Sequence, residues 1–260
     1  MTIYMQLEKR FIITILAGGE GKRMNNENPK VLCPFLGEPM IVRILKVVLL
    51  LQPDKILVIV GKHRHHIRSI IESFIVDTSL IEYIDQPVPQ GTGDAIKCAI
   101  PYYKMDDRIL ILNGDMPCIT HEFLHNLLVS ASRQLCVIVA ANVENPQGYG
   151  RIEYNAQNEF RRIIEDRDCT FEQKKIGLIN TGIYLVMGSI LFSCVPSITN
   201  ENRQKEYYLT DMFLLHKKYS VIPITIYEIN KTDSWIIQGV NTMEELRIAE
   251  ESAAYNQTQI

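Results

Sequence analysis

Runs of apolar residues alternate with amphipathic stretches throughout the first half of the chain. The run at residues 55–60 has apolar residues on both faces, as a strand of a buried parallel sheet must have, and the runs at residues 11–15 and 108–112 also predict buried strands. Shorter runs predict two further strands, at residues 81–84 and 135–141. The stretches between the strands have helical periodicity and predict helices over residues 39–51, 64–74, 92–100 and 121–130. This alternation of strands and helices predicts an α/β fold with a doubly wound sheet and right-handed crossovers.

The second half of the chain has a different pattern. Two short alternating segments, at residues 148–154 and 159–166, predict a pair of antiparallel strands around a turn at residues 155–158. The remaining elements are predicted strands at residues 177–187 and 221–229, and predicted helices at residues 208–219 and 242–255. No repeat or low-complexity linker separates the two halves. We therefore expect one α/β body that carries an antiparallel flap.

Composition limits the class of protein. The net charge of −3 provides no electrostatic footprint for nucleic acid or for an anionic membrane. The longest apolar run, residues 40–51, contains Arg43 and Lys46 and is shorter than the roughly 18 residues that a membrane span needs. The first residues lack a signal-peptide pattern, and the six cysteines stand singly, which favours reduced thiols. We expect a cytoplasmic protein without a nucleic-acid or membrane partner.

A glycine-rich loop follows the first predicted strand directly. It reads Leu16-Ala-Gly-Gly-Glu-Gly-Lys-Arg-Met24. Glycines allow main-chain N–H groups to surround an anion, and Lys22, Arg23 and Lys30 supply positive charge. The loop is therefore a candidate site for a polyphosphate.

Two familiar phosphate-binding loops do not match this sequence. A Walker A loop needs Ser or Thr after Gly-Lys, but Arg23 follows Lys22 here. The dinucleotide fingerprint needs a third glycine, but Met24 occupies that position. By itself, the loop is as consistent with a plain strand-to-helix turn as with a phosphate site.

Two more predicted strands end in segments that are candidates for ligand binding. Residues 86–93 and 113–117 follow these strands, and the carboxyl ends of parallel strands share one edge of a sheet. Asp115 is a candidate Mg²⁺ ligand, with a helix-capping turn residue as the alternative. Gln86 carries both a donor and an acceptor and could read a pyrimidine edge, or it could be an ordinary polar loop residue. We expect the three strand ends to converge on one site.

Polar residues in the second half suggest further contacts with a ligand. Asn180 interrupts an apolar strand, and a buried asparagine needs partners that a ligand would supply. Glu165 and Asp168 could bind sugar hydroxyls or could flank a surface strand with Arg167. Asn241 could be only the N-cap of the last helix.

The ordered set of these segments resembles the sugar-nucleotide pyrophosphorylase family of nucleotidyltransferases. The closest resemblance is to the uridylyltransferase domain of the bifunctional N-acetylglucosamine-1-phosphate uridyltransferase / glucosamine-1-phosphate acetyltransferase. The similarity runs from about residue 11 to residue 241. It is carried by the loop at residues 16–24 and by Pro29-Lys-Val-Leu32, Gln90-Gly-Thr-Gly93, Asn113-Gly-Asp115, Pro146-Gln-Gly-Tyr-Gly-Arg-Ile152, Ile164-Glu-Asp-Arg-Asp168, Ile179-Asn-Thr-Gly182, Glu206-Tyr-Tyr-Leu-Thr-Asp211 and Gly239-Val-Asn241.

The resemblance implies a Rossmann-like, mixed and mostly parallel sheet of the nucleotide-diphospho-sugar transferase type, with an antiparallel sugar-binding flap. It implies a nucleotidyltransferase domain over residues 8–241, with a nucleotide-binding part at 8–142 and a sugar-binding part at 143–230. Residues 242–260 would form a C-terminal helix and tail. No hexapeptide periodicity follows Asn241, so a β-helix acetyltransferase domain is not expected, and the oligomeric state is left open.

The resemblance also implies substrates and residue roles. The reaction would join UTP and N-acetylglucosamine 1-phosphate to give UDP-N-acetylglucosamine and pyrophosphate, with Mg²⁺ as cofactor. The implied catalytic residues are Arg23 and Lys30, and the implied metal ligands are Asp115 and Asn241. The implied nucleotide-binding residues are Leu16, Ala17, Gly18, Gly19, Gln86, Gly91 and Thr92. The implied sugar-binding residues are Gly150, Glu165, Asn180 and Thr181.

Three positions depart from the usual uridylyltransferase pattern. Gly18 replaces an alanine, Lys22 replaces a common threonine, and Asn113 replaces a common tyrosine. These departures leave open the alternative that the chain is a hexose-1-phosphate nucleotidyltransferase that uses dTTP, GTP or CTP. A non-catalytic module of the same fold is a further alternative, against which the retained Arg23, Lys30, Asp115 and Asn241 argue.

Overall fold

The computed structural model describes residues 9–19 and 28–257. The strands in these residues are β1 Phe11–Leu16, β2 Pro34–Phe35, β3 Glu38–Pro39, β4 Lys55–Val60, β5 Ile81–Asp85, β6 Arg108–Asn113, β7 Cys136–Asn142, β8 Gly150–Tyr154, β9 Phe160–Ile164, β10 Leu178–Met187 and β11 Thr225–Glu228. The helices are α1 Met40–Leu49, α2 Arg64–Phe74, α3 Thr92–Ala99, α4 His121–Ser130, α5 Gly188–Cys194, α6 Asp211–Tyr219 and α7 Met243–Gln257.

The main sheet has the strand order β11-β7-β10-β6-β1-β4-β5. Strands β6, β1, β4 and β5 pair in parallel, and β11 pairs in parallel with β7. Strand β10 runs antiparallel to both of its neighbours, β6 and β7. The predicted mixed and mostly parallel sheet is therefore confirmed.

Alternate residues of the strands face two separate hydrophobic layers. In β1, Ile13 and Ile15 pack in the layer that contains buried residues of α1, α2 and α4. Ile12 packs in the opposite layer, with buried residues of α3, α5 and α6. All three isoleucines are fully buried, which explains why both faces of this strand are apolar in the sequence. The sheet is thus covered on both faces, as the doubly wound prediction requires.

The predicted antiparallel flap is present as the hairpin of β8 and β9. The two strands pair with each other, and β8 also pairs with β10 through Arg151 and Gly150. The Asn155 side chain organises the turn, because its Oδ1 accepts from the main-chain N–H groups of Gln157 and Glu159 at 3.0 and 2.9 Å. The hairpin is therefore attached to the main sheet at the strand that carries Asn180 and Thr181.

One predicted helix begins later than expected. Helix α6 begins at Asp211, whereas the periodicity predicts a helix from residue 208. The preceding residues instead form a non-helical bridge to the loop before α3. Tyr207 N donates to Gln90 O, and Gly93 N donates to Tyr207 O, both at 2.7 Å. We call residues 206–210 the bridging segment.

Two further differences concern the second half. The predicted strand at residues 221–229 is reduced to β11, because Pro223 precedes it and cannot donate to a sheet ladder. Helix α5 was not predicted, because its seven residues directly continue the apolar run of β10. Within the described residues, no helix combines the length and apolarity needed to cross a bilayer.

Candidate active site

A cleft lies at the carboxyl ends of β1, β5 and β6, where the sequence predicts convergence. It consists of a cavity of about 450 Å³ and an adjoining one of about 210 Å³. The two cavities share Leu16, Thr92, Asn113, Asp115 and Asn241 in their linings. The predicted convergence of three strand ends on one site is therefore confirmed.

The larger cavity brings together the residues that the resemblance assigns to the nucleotide. Its lining includes Leu16, Ala17, Gly18, Gly19, Gln86, Gly91 and Thr92. Glycine is required at position 91, because its φ is +114° and an added Cβ would lie 2.5 Å from Tyr207 O. The bridging segment thus packs directly against the loop that borders this cavity.

Lys30, Asp115 and Asn241 form a polar cluster beside the shared part of the cleft. Lys30 Nζ donates to Asp115 Oδ2, and it donates to Asn241 Oδ1 at 3.0 Å. The Lys30 and Asp115 side chains are only 15% and 19% exposed, so the ion pair is largely shielded from water. A main-chain hydrogen bond connects the segments that carry Asp115 and Asn241, because Val240 N donates to Asp115 O at 2.9 Å.

Neither Asp115 nor Asn241 serves as a helix cap. Helix α4 is capped by Thr120, whose Oγ1 accepts from Phe123 N. At the start of α7, Thr242 Oγ1 accepts from Glu245 N at 3.1 Å, so the cap is Thr242. The capping alternatives for Asp115 and Asn241 are therefore wrong, and both side chains are directed towards Lys30.

The smaller cavity brings together the residues that the resemblance assigns to the sugar. Gly150, Glu165, Asn180 and Thr181 all line it. Gly150 leaves no room for a side chain, because an added Cβ would lie 2.9 Å from Ile163 Cγ2. Asp168 does not line either cavity; its Oδ1 accepts from Arg203 N at 3.0 Å.

Glu165 is a half-buried carboxylate held by the bridging segment. Thr210 Oγ1 donates to Glu165 Oε1 at 2.7 Å. Burial raises the pKa of Glu165, the Thr210 hydroxyl opposes that shift, and the negative charges of Asp211, Asp168 and Asp166 add to it. Burial, with the charge of Asp168 beside it, also raises the pKa of Asp211 to about 6. The Thr210 hydroxyl therefore opposes the rise in the pKa of Glu165 and favours its ionised form.

Asn180 and Thr181 have partners within the protein. Asn180 Nδ2 donates to Tyr184 Oη at 2.7 Å, and Thr181 Oγ1 donates to Val139 O at 2.8 Å. The pairing of β10 with β7 is irregular between Asn180 and Tyr184. The expectation that a ligand must supply the partners of Asn180 is thus wrong, although both residues line the smaller cavity.

One predicted catalytic residue cannot be located in this cleft. Arg23, like Lys22, falls outside the described residues. The assignment of Arg23 to the triphosphate stays a prediction from the sequence.

The family is decided by comparison with known proteins. The family model described as the MobA-like NTP transferase domain matches residues 13–197, which is more than half of the chain. The chain belongs to the MobA-like NTP transferases. The resemblance to nucleotidyltransferases predicted from the motifs is therefore confirmed.

Relatives of this transferase include a viral and several bacterial proteins. A probable UDP-N-acetylglucosamine pyrophosphorylase of Acanthamoeba polyphaga mimivirus is 42% identical over 245 residues, covering 93% of this chain and 95% of that protein. The bifunctional protein GlmU of Francisella philomiragia is 39% identical, covering 88% of this chain and 49% of that protein. GlmU of Prochlorococcus marinus is 38% identical, covering 91% of this chain and 50% of that protein. The transferase therefore spans about half the length of these GlmU proteins.

Solved structures show the same fold. A putative glucose-1-phosphate thymidylyltransferase from Bacillus anthracis, in complex with a sucrose, aligns with a TM-score of 0.71 at 20% identity over 94% of this chain and 95% of that one. A UDP-glucose pyrophosphorylase complexed with UDP-glucose aligns with a TM-score of 0.72 at 16% identity, over 96% of this chain and 99% of that one. The predicted nucleotide-diphospho-sugar transferase fold is confirmed.

Sequence reasoning missed Thr210, which lines the smaller cavity, and Asp94, which contacts Gln86 behind the larger one. Thr210 belongs to a recognised motif, but nothing in the sequence indicates its hydrogen bond with Glu165, 45 positions away. By position alone, Asp94 is a negative charge in the first turn of α3, where such a charge is favourable. In the structure, its carboxylate also accepts a hydrogen bond from the side chain of Gln86. The Thr210 contact joins segments that only the tertiary fold brings together, whereas Asp94 lies eight positions after Gln86, across the connection between β5 and α3.

Proposed function

We propose that this transferase joins UTP and N-acetylglucosamine 1-phosphate to give UDP-N-acetylglucosamine and pyrophosphate. The observation that carries the proposal is the position of Lys30, Asp115 and Asn241 beside the junction of two cavities. One cavity contains the predicted nucleotide residues and the other the predicted sugar residues. The identity with the mimiviral relative, across nearly the full length of both proteins, supports this choice of substrates.

The donor set beside the junction fits Mg²⁺. Asp115 Oδ2 and Asn241 Oδ1 both face one cation, the Lys30 ammonium, and Mg²⁺ prefers such oxygen ligands. Within the described residues, no cluster of three or more Asp, Glu, His or Cys side chains could enclose a metal. Mg²⁺ sites in phosphate-transferring proteins commonly use one or two carboxylates together with substrate phosphates. Bound by Asp115 and Asn241, Mg²⁺ would neutralise charge on the phosphates.

The residues of the chain supply positioning and charge. The phosphate of the sugar is already an anionic nucleophile, so the reaction needs no general base from the protein. The protein must instead hold two polyanions so that the sugar phosphate attacks the α-phosphate in line with the leaving pyrophosphate. Lys30 stabilises the charge that develops on that phosphate, and its partial burial strengthens the interaction. Glu165 accepts hydrogen bonds from the sugar in the smaller cavity.

A substrate panel tests the proposed function. The protein is incubated with Mg²⁺, one of UTP, dTTP, GTP or CTP, and one of several hexose or N-acetylhexosamine 1-phosphates, and pyrophosphate is measured. The combination of UTP and N-acetylglucosamine 1-phosphate is expected to give the highest kcat/KM. A higher kcat/KM with another pair would assign that pair instead, and no turnover with any pair would favour a binding module.

The Thr210–Glu165 hydrogen bond gives a pH-dependent prediction. Thr210→Val removes the hydroxyl that lowers the pKa of Glu165, so this pKa rises further above its ordinary value. If ionised Glu165 binds the sugar, kcat/KM for the sugar phosphate should fall about tenfold near pH 6 and less near pH 8.5. The KM for UTP should change little.

Thr210→Ser is the matched control, because serine keeps the hydroxyl and should restore the wild-type pH profile. Thr210 precedes α6, but its side chain caps none of that helix's N–H groups, so the valine variant keeps the helix start. A pH profile of Thr210→Val that superimposes on the wild-type profile would argue against a role for Glu165 in sugar binding.

A further inference from the structure

Both hydrogens of the Gln86 side-chain amide are bound within the protein. Gln86 Nε2 donates to Gly91 O at 3.1 Å and to Asp94 Oδ2 at 2.7 Å. A primary amide has two N–H donors, so these two bonds use its full donor capacity. The side chain is buried, with 4% of the residue exposed. Rotation of the amide would therefore break both bonds where bulk water could not replace them.

The two acceptors allow only one orientation of this amide. A backbone carbonyl and an aspartate carboxylate both accept hydrogen bonds and neither can donate to Oε1. If the amide turned by 180°, its Oε1 would face two oxygens, and the –NH₂ group would lose both partners. Asp94 lies in the first turn of α3, which begins at Thr92 directly after the loop that contains Gly91. The helix therefore fixes the position of the carboxylate.

The remaining atom of the amide, Oε1, faces the glycine loop. A Cβ built on Gly18 would lie 2.9 Å from Gln86 Oε1, so the missing side chain at Gly18 leaves space beside this oxygen. Gln86 and Gly18 both line the larger cavity. Among the described residues, no donor is hydrogen-bonded to Oε1. The cavity thus presents a hydrogen-bond acceptor with free capacity.

We infer that Asp94 is a positioning residue that holds the Gln86 amide with its oxygen towards the cleft, so that the site selects a nucleobase with a ring N–H donor over cytosine. This inference rests on the proposed function, in which the larger cavity binds a nucleoside triphosphate. It assigns to Asp94 an effect on nucleotide choice without any contact between Asp94 and the base.

The chemistry of the bases explains the selection. Uracil and thymine carry a hydrogen on N3, which can donate to Gln86 Oε1. Cytosine has a lone pair on N3, so in the same pose it would oppose one acceptor with another. A site built to pair with a donor discriminates strongly against a ligand that lacks it, because the buried polar group is left unpaired. Glycine in place of the usual alanine at position 18 is compatible with this selection, because the absence of a Cβ leaves room for Gln86 Oε1.

Nucleotide binding in variants of Asp94 tests the inference. Binding of UTP and of CTP, each with Mg²⁺, is measured by calorimetry without sugar phosphate. The wild-type protein should prefer UTP by about 100-fold or more. Asp94→Ala removes one of the two acceptors, so only Gly91 O still opposes the turned amide, and the preference of this variant for UTP should fall to within about tenfold. Asp94→Glu keeps an acceptor-only group and should retain most of the preference.

Controls separate this role from a structural one. Asp94→Leu keeps a side chain that branches at Cγ but has no acceptor, and it provides the test if the alanine variant does not fold. Asp85→Asn changes an aspartate next to Gln86 whose carboxylate pairs with Arg64 instead, and it should leave the preference unchanged. A folded Asp94→Ala or Asp94→Leu variant with the wild-type preference would overturn the inference. Equal affinity of the wild-type protein for UTP and CTP would overturn it as well.

The proposed function and this inference can fail separately. Absence of turnover with every substrate pair would reject the proposed function but would leave the binding preference measurable. Turnover with UTP and N-acetylglucosamine 1-phosphate, together with an unaltered preference in Asp94→Ala, would reject only the role of Asp94.

Discussion

Lys30→Ala is expected to lower kcat by about 10²–10³-fold while the protein remains folded. Lys30 is the cation that contacts both Asp115 and Asn241 beside the junction of the two cavities. Its charge is needed most when negative charge develops on the α-phosphate, so the loss should appear in kcat more than in KM. Steady-state kinetics with UTP and N-acetylglucosamine 1-phosphate measure both constants.

Lys46→Ala is the matched control for this prediction. Lys46 lies on the exposed side of α1 and forms an ion pair with Glu38, away from both cavities. Its removal should leave kcat unchanged. A Lys30→Ala variant that turns over at nearly the wild-type rate would reject the catalytic role of Lys30.

Asp115→Asn is expected to raise the Mg²⁺ concentration for half-maximal activity by more than about tenfold. The substitution keeps the shape of the side chain but removes the only carboxylate in the Lys30 cluster. Saturating Mg²⁺ should recover part of the turnover, because in the proposed site Asn241 and the substrate phosphates would still provide oxygen ligands.

Binding of Mn²⁺ in the presence of UTP, followed by electron paramagnetic resonance, gives a readout that does not depend on turnover. It should weaken in Asp115→Asn in parallel with the Mg²⁺ requirement. Asp106→Asn, which changes an exposed carboxylate remote from the cleft, is the control. A Mg²⁺ titration of Asp115→Asn that matches the wild-type titration would contradict the assignment of Asp115 to the metal.

The sequence predicts the sheet well because its signals are local. The β-branched run from Ile12 to Ile15 predicts a buried strand, and the structure buries both faces of this strand. The convergence of the glycine loop, Gln86 and Asp115 also follows from a general rule for the edges of parallel sheets. That these residues line one cavity could therefore be predicted without knowledge of side-chain contacts.

The contacts that organise the cleft depend on distant parts of the chain and could not be predicted in the same way. Lys30 and Asn241 are separated by 211 positions, and Leu209 N donates to Thr92 Oγ1 across 117 positions. The residues of the bridging segment before Asp211 continue a helical pattern, yet their backbone pairs with the loop at residues 90–93. Local periodicity contains no information about such a partner.

The alternatives left open by the sequence are now narrower in two respects. Asp115 and Asn241 are not helix caps, and both contact Lys30, which supports a catalytic rather than a purely structural cluster. In the role that we propose for Gln86, its free Oε1 favours a base with a ring N–H donor and disfavours CTP. UTP, dTTP and GTP all meet this condition, because uracil and thymine carry a hydrogen on N3 and guanine carries one on N1.

The most direct test of the central proposal is to quantify both products in one reaction. The wild-type protein, with Mg²⁺, UTP and N-acetylglucosamine 1-phosphate, should form UDP-N-acetylglucosamine and pyrophosphate in equal amounts, and omission of the sugar phosphate should abolish both. Pyrophosphate release that does not require the sugar phosphate, or formation of neither product, would contradict the proposed reaction.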